Sequence, residues 1–483
     1  MTDPAAWLPL YGRLPAEMRP VQAPEGPAPG HEPRLAFFQE ELAAELGLAD
    51  APASLFAGGT LPPPGRVQPV ALAYMGHQFG NLAVLGDGRA VLLGGRRGPR
   101  GVVDVQLKGS GRTPFSRGGD GRAALGPMLR EALFSEAVHA LGVPTTRTLA
   151  VATTGRVADR RGLPPVWAGP GAVLTRVATG HLRVGTFVLA AHLGPDALGA
   201  TLDEVVARHD PDLAGGVDAA AKALGLLRRV VERQAALVAH WASLGFVHGV
   251  LNSDNVSVGG ETIDYGPCAF VDAFDRDAVF SSIDRGGRYR LSQQPAVTGW
   301  NLTRFAEALL PLLHPEPPDP PDPEAAVALA EEALAGFGPA YERAYGRRMR
   351  AKLGLAEERE GDAALIASLL DALQADRADW TSAFRHLAGD PGAAAPGGAA
   401  FAAWRPRWER RLGGPAPAGL LGVNPATVPR SHHAAAAIEA AIGGDPTDFQ
   451  GLMAACRRPF ERHPRWSRPP AGAAPPVPTF CGT

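Results

Sequence analysis

The sequence has little cysteine, no long apolar run and almost no net charge. Its three cysteines, Cys268, Cys456 and Cys481, are too few and too far apart for a disulfide framework or a zinc site. No run of about 18 apolar residues predicts a membrane span, and residues 1–10 lack the basic and apolar regions of a signal peptide. We therefore expect a cytoplasmic protein with no membrane partner.

The charges nearly cancel, with 47 Lys and Arg against 49 Asp and Glu. Without a strong basic field we expect no nucleic-acid partner, and no acidic tail predicts disorder. Hydrophobic residues make up 45% of the chain, which favours a globular protein. We expect it to be a monomer.

A chain of 483 residues is long enough for two or three packed units. The patterning predicts four segments: 1–70 as an N-terminal extension packing on the core, 71–180 as a strand-rich lobe, 181–400 as a mostly helical lobe, and 401–483 as a helical segment and tail. A proline-dense stretch, His314 to Pro323, predicts a linker or surface loop.

Strand patterns dominate the second segment. Leu82–Leu85 and Ala90–Leu93 flank Gly86-Asp87-Gly88-Arg89, which predicts a hairpin with a glycine turn. Val102–Leu107 predicts a strand ending at Lys108, before the glycine-rich loop Gly109–Gly121. Two further strands are predicted at Thr145–Thr153 and Ala172–Val177.

Helical patterns occur throughout the rest of the chain. We predict helices at Leu35–Leu46, Leu125–Leu141, Asp218–Leu244, Pro323–Gly336, Asp362–Leu387 and His433–Ile442.

Four polar features stand where the strands give way to helices. Glycines in Gly86-Asp87-Gly88-Arg89 let backbone N–H groups approach phosphate, although an ordinary turn has the same composition. Lys108 ends a strand and Glu131 follows on a helix, the pair that kinases use on nucleotide phosphates. Glu136 is the rival partner. It lies about 140° further around the helix, so only one glutamate can face Lys108, and we predict Glu131.

The third feature is His248-Gly249-Val250-Leu251-Asn252-Ser253-Asp254-Asn255. Kinases carry a His-x-Asp-Leu-x4-Asn loop after a long helix, and here the His, Leu and final Asn match that spacing. Val250 stands where a kinase keeps its catalytic Asp, and a carboxylate reappears at Asp254. Ordinary phosphotransfer geometry is therefore doubtful.

The fourth feature is Thr262-Ile263-Asp264-Tyr265-Gly266, which predicts a strand ending in an Asp-aromatic-Gly motif. Asn255 and Asp264 supply the hard oxygens that suit Mg²⁺ held together with ATP phosphates. The order of the four features predicts an α+β, protein-kinase-like two-lobed fold with an N-terminal extension and helical C-terminal additions.

At these residues the chain resembles the selenoprotein O family of protein adenylyltransferases. The resemblance is strong over residues 70–310 and looser at Asn424-Pro425 and Phe480–Thr483. The family-like strings include Tyr74–Gly80, Gln106–Pro114, Ser116-Arg117, Asp120–Ala123, Ser135–Ala137, Gly142–Arg147, His248–Asn255, Asp264–Pro267, Gly287–Tyr289, Gln294-Pro295 and Trp300–Leu302.

The resemblance implies a pseudokinase-like fold that binds ATP in a flipped orientation and moves AMP onto Ser, Thr or Tyr hydroxyls of proteins, releasing pyrophosphate. It implies Asp254 as proton acceptor and Asn255 with Asp264 as ligands of Mg²⁺ or Mn²⁺. It also implies a set of ATP contacts: Gly86, Gly88, Arg89, Lys108, Asp120, Gly121, Arg176, Arg183 and Asp264.

Redox control departs from the family pattern. Cys481 matches the family's C-terminal cysteine, but Ser281 stands where some members carry its disulfide partner. Cys268, four residues past Asp264, is a candidate substitute for that partner, although a role as a small buried apolar residue is favoured over it. Two other functions stay open: transfer of UMP or phosphate, and a catalytically inactive ATP-binding scaffold. Retention of Lys108, Asp254, Asn255 and Asp264 argues against the scaffold.

Overall fold

The computed structural model describes residues 6–63, 67–99, 101–158, 169–215, 218–313 and 323–471. The fold class is α+β, as predicted, while the kinase-like division into two lobes stays a prediction. The strands are β1 (Leu35–Phe38), β2 (Ala73–Gln78), β3 (Asn81–Gly86), β4 (Ala90–Gly98), β5 (Gly101–Lys108), β6 (Ala123–Ala124), β7 (Arg147–Ala158), β8 (Gly169–Ala178), β9 (Phe246–Val247) and β10 (Ala269–Phe270).

Most helices follow the strands. They are α1 (Glu40–Glu45), α2 (Ala53–Phe56), α3 (Leu125–Ala140), α4 (Val184–Leu193), α5 (Pro195–His209), α6 (Ala219–Leu244), α7 (Gln294–Leu309), α8 (Pro323–Ala335), α9 (Phe337–Lys352), α10 (Asp362–Ala375), α11 (Trp380–Leu387), α12 (Ala399–Leu412), α13 (Ser431–Ile442) and α14 (Thr447–Arg457). Among the described residues, no helix is long and apolar enough to cross a membrane.

The main sheet is antiparallel, with strand order β1-β7-β8-β5-β4 and β6 paired to β8. Strand β5, between β8 and β4, alternates in character. Val105 and Leu107 are buried with Leu42 and Phe56 of the N-terminal segment, so α1 and α2 cover one face of the sheet. Because successive side chains point to opposite faces, the polar residues of β5 share the other face. We call these residues, Asp104, Gln106 and Lys108, the polar row.

Helix α3 packs on β7 and β8, and α13 and α14 pack on α3. The long helix α6 contacts α7, α8 and α9. It begins at the capping carboxylate of Asp218, which accepts the N–H of Ala221 at 2.7 Å, and it ends at Gly245 in a left-handed conformation. This helix therefore delivers the chain at a fixed point, β9, directly before His248.

The predicted hairpin around Gly86–Arg89 is wrong. Strand β3 pairs with β2, while β4 pairs with β5. The true hairpin turns at Phe79-Gly80, where φ is 51° and 89°. A two-residue turn with positive φ at both positions normally carries Asn or Gly, so Phe79 gives no turn signal in the sequence. Gly86–Arg89 instead connects the β2–β3 hairpin to the main sheet.

Two other element predictions need correction. Leu35–Leu46 is strand β1 followed by helix α1, because Leu35 to Phe38 pair with β7. Asp362–Leu387 is two helices, since Asp379 caps the start of α11 by accepting the N–H of Ser382 at 2.8 Å. Thr262 makes only an isolated bridge to Thr145, so the Asp264 motif does not follow a regular strand.

The other predicted elements are confirmed within one or two residues at most ends: β5, α3, β8, α6, α8 and α13. Residues 314–322, most of the predicted linker, lie outside the described residues.

Candidate active site

A cavity of about 360 Å³ lies where the connection after β3, the end of β5 and the loop after β9 meet. Every residue predicted to contact ATP or metal lines it: Gly86, Gly88, Arg89, Lys108, Asp120, Gly121, Arg176, Arg183, Asp254, Asn255 and Asp264. The structure therefore brings together residues that lie between positions 86 and 264 of the chain.

Lys108 contacts two carboxylates. Its Nζ lies 2.6 Å from Oε2 of Glu131 on α3 and 2.7 Å from Oδ1 of Asp264. Glu136 instead accepts bonds from Arg147 and Gln39 on the other side of the helix. The predicted partner, Glu131, is thus the one that Lys108 contacts.

Asp264 is surrounded by three cations, Lys108, Arg176 and Arg183, which we call the cation cluster. Nη1 of Arg176 lies 2.6 Å from Oδ1, and Nη1 of Arg183 lies 2.9 Å from Oδ2. Burial alone raises the pKa of the Asp264 carboxyl, but the cation cluster outweighs burial and holds that pKa well below its usual range. Asp264 is therefore ionised across the physiological range.

Asp254 has the opposite surroundings. It belongs to a short 3-10 turn, Ser253–Asn255, and its Oδ1 is buried without a hydrogen-bond partner. Burial raises the pKa of the Asp254 carboxyl to about 6, although Arg183 opposes the shift. A carboxylate with a pKa near neutrality and a free oxygen suits a general base.

Strand β2 covers Asp254. A Cβ on Gly76 would lie 2.4 Å from Oδ1 of Asp254 and 2.5 Å from a methyl group of Leu85. Only glycine leaves room for the carboxylate at this point. The Gly76-His77 step also binds the loop, since the N–H of His77 donates to Oγ of Ser253 at 2.8 Å.

The His248–Asn255 loop is fixed from beneath. His248 is fully buried with Nε2 2.8 Å from the carbonyl oxygen of Ile263, and burial lowers the pKa of its imidazole. The amides of Gln294 and Asn301 bond the backbone of Phe246 and Leu251, each at 2.9 Å. The loop is therefore rigidly held while its side chains face the cavity.

Val250 stands in the cavity wall at the position where the kinase motif has its Asp. Its carbonyl oxygen accepts a hydrogen bond from Nδ2 of Asn255 at 2.9 Å. This bond orients the amide of Asn255 and leaves its Oδ1 available to a cation. Since Val250 carries no polar side-chain atom, Asp254 is the carboxylate that this loop offers to the cavity.

Comparison with known proteins fits this geometry. A family model described as "Protein adenylyltransferase SelO" matches residues 25–395. The chain belongs to the SelO family. It is 48% identical to "Protein nucleotidyltransferase YdiU" of Geobacillus kaustophilus over 95% of both chains. The protein of the same name from Rhizobium rhizogenes is 47% identical, over 98% of this chain and 96% of that one.

This SelO-family protein is therefore an enzyme, a protein nucleotidyltransferase. The protein of the same name from Sphingopyxis alaskensis is 47% identical to this chain, over 97% of this chain and 98% of that one. Because the relatives are covered almost end to end, the family assignment applies to the sheet and the helices alike.

Sequence reasoning missed several residues of the site in this SelO-family enzyme. Oε1 of Gln106 accepts hydrogen bonds from Nε and Nη2 of Arg176, at 3.2 and 2.6 Å. Its amide nitrogen donates to Asp87 at 2.9 Å. Tyr74 lies under the guanidinium of Arg183, 4.6 Å from its ring centre. The polar row itself was a usable signal, because Asp104, Gln106 and Lys108 alternate with valine and leucine.

The glycine-rich loop supports the connection after β3. The hydroxyl of Thr113 donates to the carbonyl of Asp87 at 2.7 Å. Asp120 Oδ1 accepts the N–H of Arg122, whose guanidinium binds Glu25 through two nitrogens at 3.0 and 2.6 Å. The N-terminal segment thus holds the loop that carries Asp120 and Gly121.

Cys268 and Cys456 are buried and form no disulfide within the described residues. Cys481 lies outside the described residues, so the pairing of Cys268 with Cys481 stays a prediction.

Proposed function

We propose that this enzyme transfers AMP from ATP to Ser, Thr or Tyr hydroxyls of proteins, with release of pyrophosphate and with a divalent metal, on a kinase-like two-lobed fold. The observation that carries the proposal is the pairing of one free carboxylate, Asp254, with the cation cluster in one cavity. A cytoplasmic location and a monomeric state belong to the same proposal.

Asp254 acts as the base. Above pH 6 its carboxylate is ionised, and the side chain lines the cavity, where it can accept the proton of an incoming hydroxyl. Gly76 and Leu85 enclose Oδ1 and keep bulk water from solvating that oxygen, which preserves the basicity of the carboxylate.

The cation cluster supports the leaving group. Attack at the α-phosphorus leaves pyrophosphate, whose growing negative charge needs fixed positive charge nearby. Arg176 is held by Gln106, and Arg183 donates to the backbone carbonyl of Asp254 at 2.7 Å. These bonds orient both guanidinium groups before ATP arrives, so little reorganisation is needed during transfer.

The oxygen donors fit Mg²⁺ or Mn²⁺. Asn255 and Asp264 line the same cavity, and no cluster of three or more His, Cys, Asp or Glu side chains suited to a metal occurs in the described part of the chain. Mg²⁺ is commonly held by one or two protein oxygens plus substrate phosphates. When bound there, the metal would neutralise phosphate charge.

Labelled nucleotides test the proposal. With ATP labelled at the α-phosphate, protein should become labelled, and with ATP labelled at the γ-phosphate it should not. Label from the γ-position alone would establish phosphotransfer, and stronger labelling from α-labelled UTP would establish UMP transfer. Intact mass after incubation with ATP and metal provides the second readout, since AMP, phosphate and no addition give three different masses for a self-modified chain.

A further inference from the structure

The hairpin that covers Asp254 has one edge in contact with the helical region and one edge uncovered. On β2, the N–H of His77 binds Ser253, and Gly185 of α4 packs against the carbonyl of Met75. Strand β3 pairs only with β2 within the described residues. The end of β3 borders the cavity, because Leu85 and Gly86 line that cavity.

The register identifies the free backbone groups. In a hairpin with a two-residue turn, the pair that closes the turn, here Gln78 and Asn81, exchanges both hydrogen bonds, and such pairs alternate along the ladder. Leu82 and Val84 therefore direct their N–H and C=O groups away from β2. No further backbone bond from these groups occurs among the described residues.

Exposed apolar side chains gather at the same place. Val84 is 66% exposed and Leu82 45% exposed, on the face of β3 that points away from Asp254. Two further exposed apolar side chains, Phe79 and Ile283, line the cavity mouth. An uncovered strand edge next to exposed apolar side chains is the feature that peptide-binding proteins use to add a strand.

Two arginines stand at this mouth. Arg117 is exposed and lines the cavity, and Arg288 lies over Trp300 beside the Phe79 turn. Within the described part of the chain, neither guanidinium has a carboxylate at ion-pair distance. A partner with acidic side chains would complement both.

We propose that an extended segment of the protein substrate adds to the outer edge of β3 as a third strand, with an acidic side chain near its acceptor hydroxyl. This proposal rests on the proposed function, because it assumes that a hydroxyl must reach Asp254. Main-chain bonds to Leu82 and Val84 hold the segment irrespective of its sequence, and alternate apolar side chains pack on Leu82, Val84 and Phe79.

The test uses Val84→Pro, with Val84→Thr as the matched control. Proline removes the outward N–H, yet it suits an edge strand whose N–H faces solvent, so the ladder to β2 should survive. Threonine keeps both the N–H and the branched shape. The probe is a peptide library with a central Ser, Thr or Tyr, labelled from α-labelled ATP. ATP affinity and melting temperature are measured in parallel.

We expect Val84→Pro to lower kcat/KM for peptides about tenfold, mainly through KM and with ATP affinity unchanged, and Val84→Thr, which keeps the N–H but loses part of the apolar contact, to lower it by less. Labelled peptides should be enriched in Asp or Glu near the modified hydroxyl. Equal rates for all three proteins, or enrichment in Lys and Arg, would overturn the proposal.

A second measurement with the wild-type enzyme removes dependence on the variant's folding. Single backbone nitrogens along a labelled peptide are methylated one at a time. Transfer should fall when the methylated residue is one of every second position, because only alternate residues of an added strand direct their N–H groups toward β3. Losses without that alternation overturn the strand. If wild-type enzyme transfers no AMP to any peptide while binding ATP, the proposed function fails and this proposal fails with it.

Discussion

Each end of the polar row joins an ion-pair cluster, and the two clusters have different surroundings. At one end, Asp104 is 0% exposed and is enclosed by Tyr11, His181 and Arg208. At the other end, Lys108 meets Asp264, which is 16% exposed at the cavity wall. Both carboxylates have lowered pKa values, although burial alone acts to raise each of them.

The two clusters differ in whether the carboxylate can exchange its protein partners for a ligand. Asp104 has no exposed side-chain surface, so we call its end of the polar row the closed end. Its partners Tyr11 and Arg208 line a second cavity of about 780 Å³, but the carboxylate does not, and we expect it to contribute to folding. Asp264 lines the first cavity together with the cation cluster, and we call this the open end. A carboxylate that lines a cavity can exchange its partners for a ligand, whereas an enclosed carboxylate cannot.

The largest expected effect is on catalysis at the open end. Asp264→Ala should reduce AMP transfer about ten-thousandfold or more, because it removes the proposed metal ligand and the anion that positions the cation cluster. Transfer is measured with α-labelled ATP. Retained activity would exclude Asp264 as a metal ligand.

At the closed end the effect should be on stability. Asp104→Asn should lower the free energy of unfolding by about 3–5 kcal/mol, since it leaves Arg208 buried without its charge partner. Urea denaturation measures this loss. Asp203→Asn is the control: its pair with Lys222, at 2.6 Å, is half exposed, so we expect a change below about 1 kcal/mol.

The comparison also predicts that activity per folded molecule stays unchanged in Asp104→Asn. A loss of transfer larger than the loss of folded protein would mean that the two ends of the polar row are coupled, and the distinction drawn above would be wrong.

Glu131→Gln should have an intermediate effect. Lys108 loses its partner on α3 but keeps Asp264, so transfer should fall about 10- to 100-fold with a raised KM for ATP. Glu136→Gln is the matched control on the same helix, because it breaks the pair with Arg147 and does not touch the cavity. A raised KM for ATP in Glu136→Gln would show that α3 as a whole, and not the Lys108 contact, determines nucleotide binding.

The smallest effect concerns acid sensitivity at the closed end. Burial lowers the pKa of His181. Below about pH 6.5 the imidazole is therefore protonated in the unfolded chain but still neutral in the folded protein. This imidazole therefore adds stability above pH 6.5 that is lost as pH falls toward its lowered pKa. In His181→Asn, the loss of stability between pH 7 and 5 should shrink by about 1 kcal/mol. Parallel urea titrations of both proteins measure it, and equal slopes would show that the fold does not lower the pKa of His181.

The sequence predicts the site better than it predicts the strands that build it. Lys108, Glu131 and Asp264 follow from motif order, and helix periodicity alone separates Glu131 from Glu136. The β2–β3 hairpin does not follow, because Phe79 adopts positive φ only where Asn252 and Tyr289 bind its N–H, at 3.3 and 3.1 Å. These partners lie 173 and 210 residues further along the chain.

The closed cluster is unpredictable for a similar reason. Asp104 stands out in β5 by its alternation with valine, but its partner Tyr11 lies 93 residues earlier in the chain. Local patterns therefore identify which residues of β5 are polar and inward. Only the folded chain decides which of them face a cavity.

Gly76 has a consequence for how this protein tolerates change over evolutionary time. A Cβ there would collide with the carboxylate of Asp254, and a Cβ on Gly185 would lie 1.9 Å from the carbonyl oxygen of Met75. A single-base codon change turns glycine into alanine, the smallest substitution available to it. In a saturation-mutagenesis experiment, every substitution at these two positions should therefore reduce function strongly, and alanine should be as damaging as a large side chain.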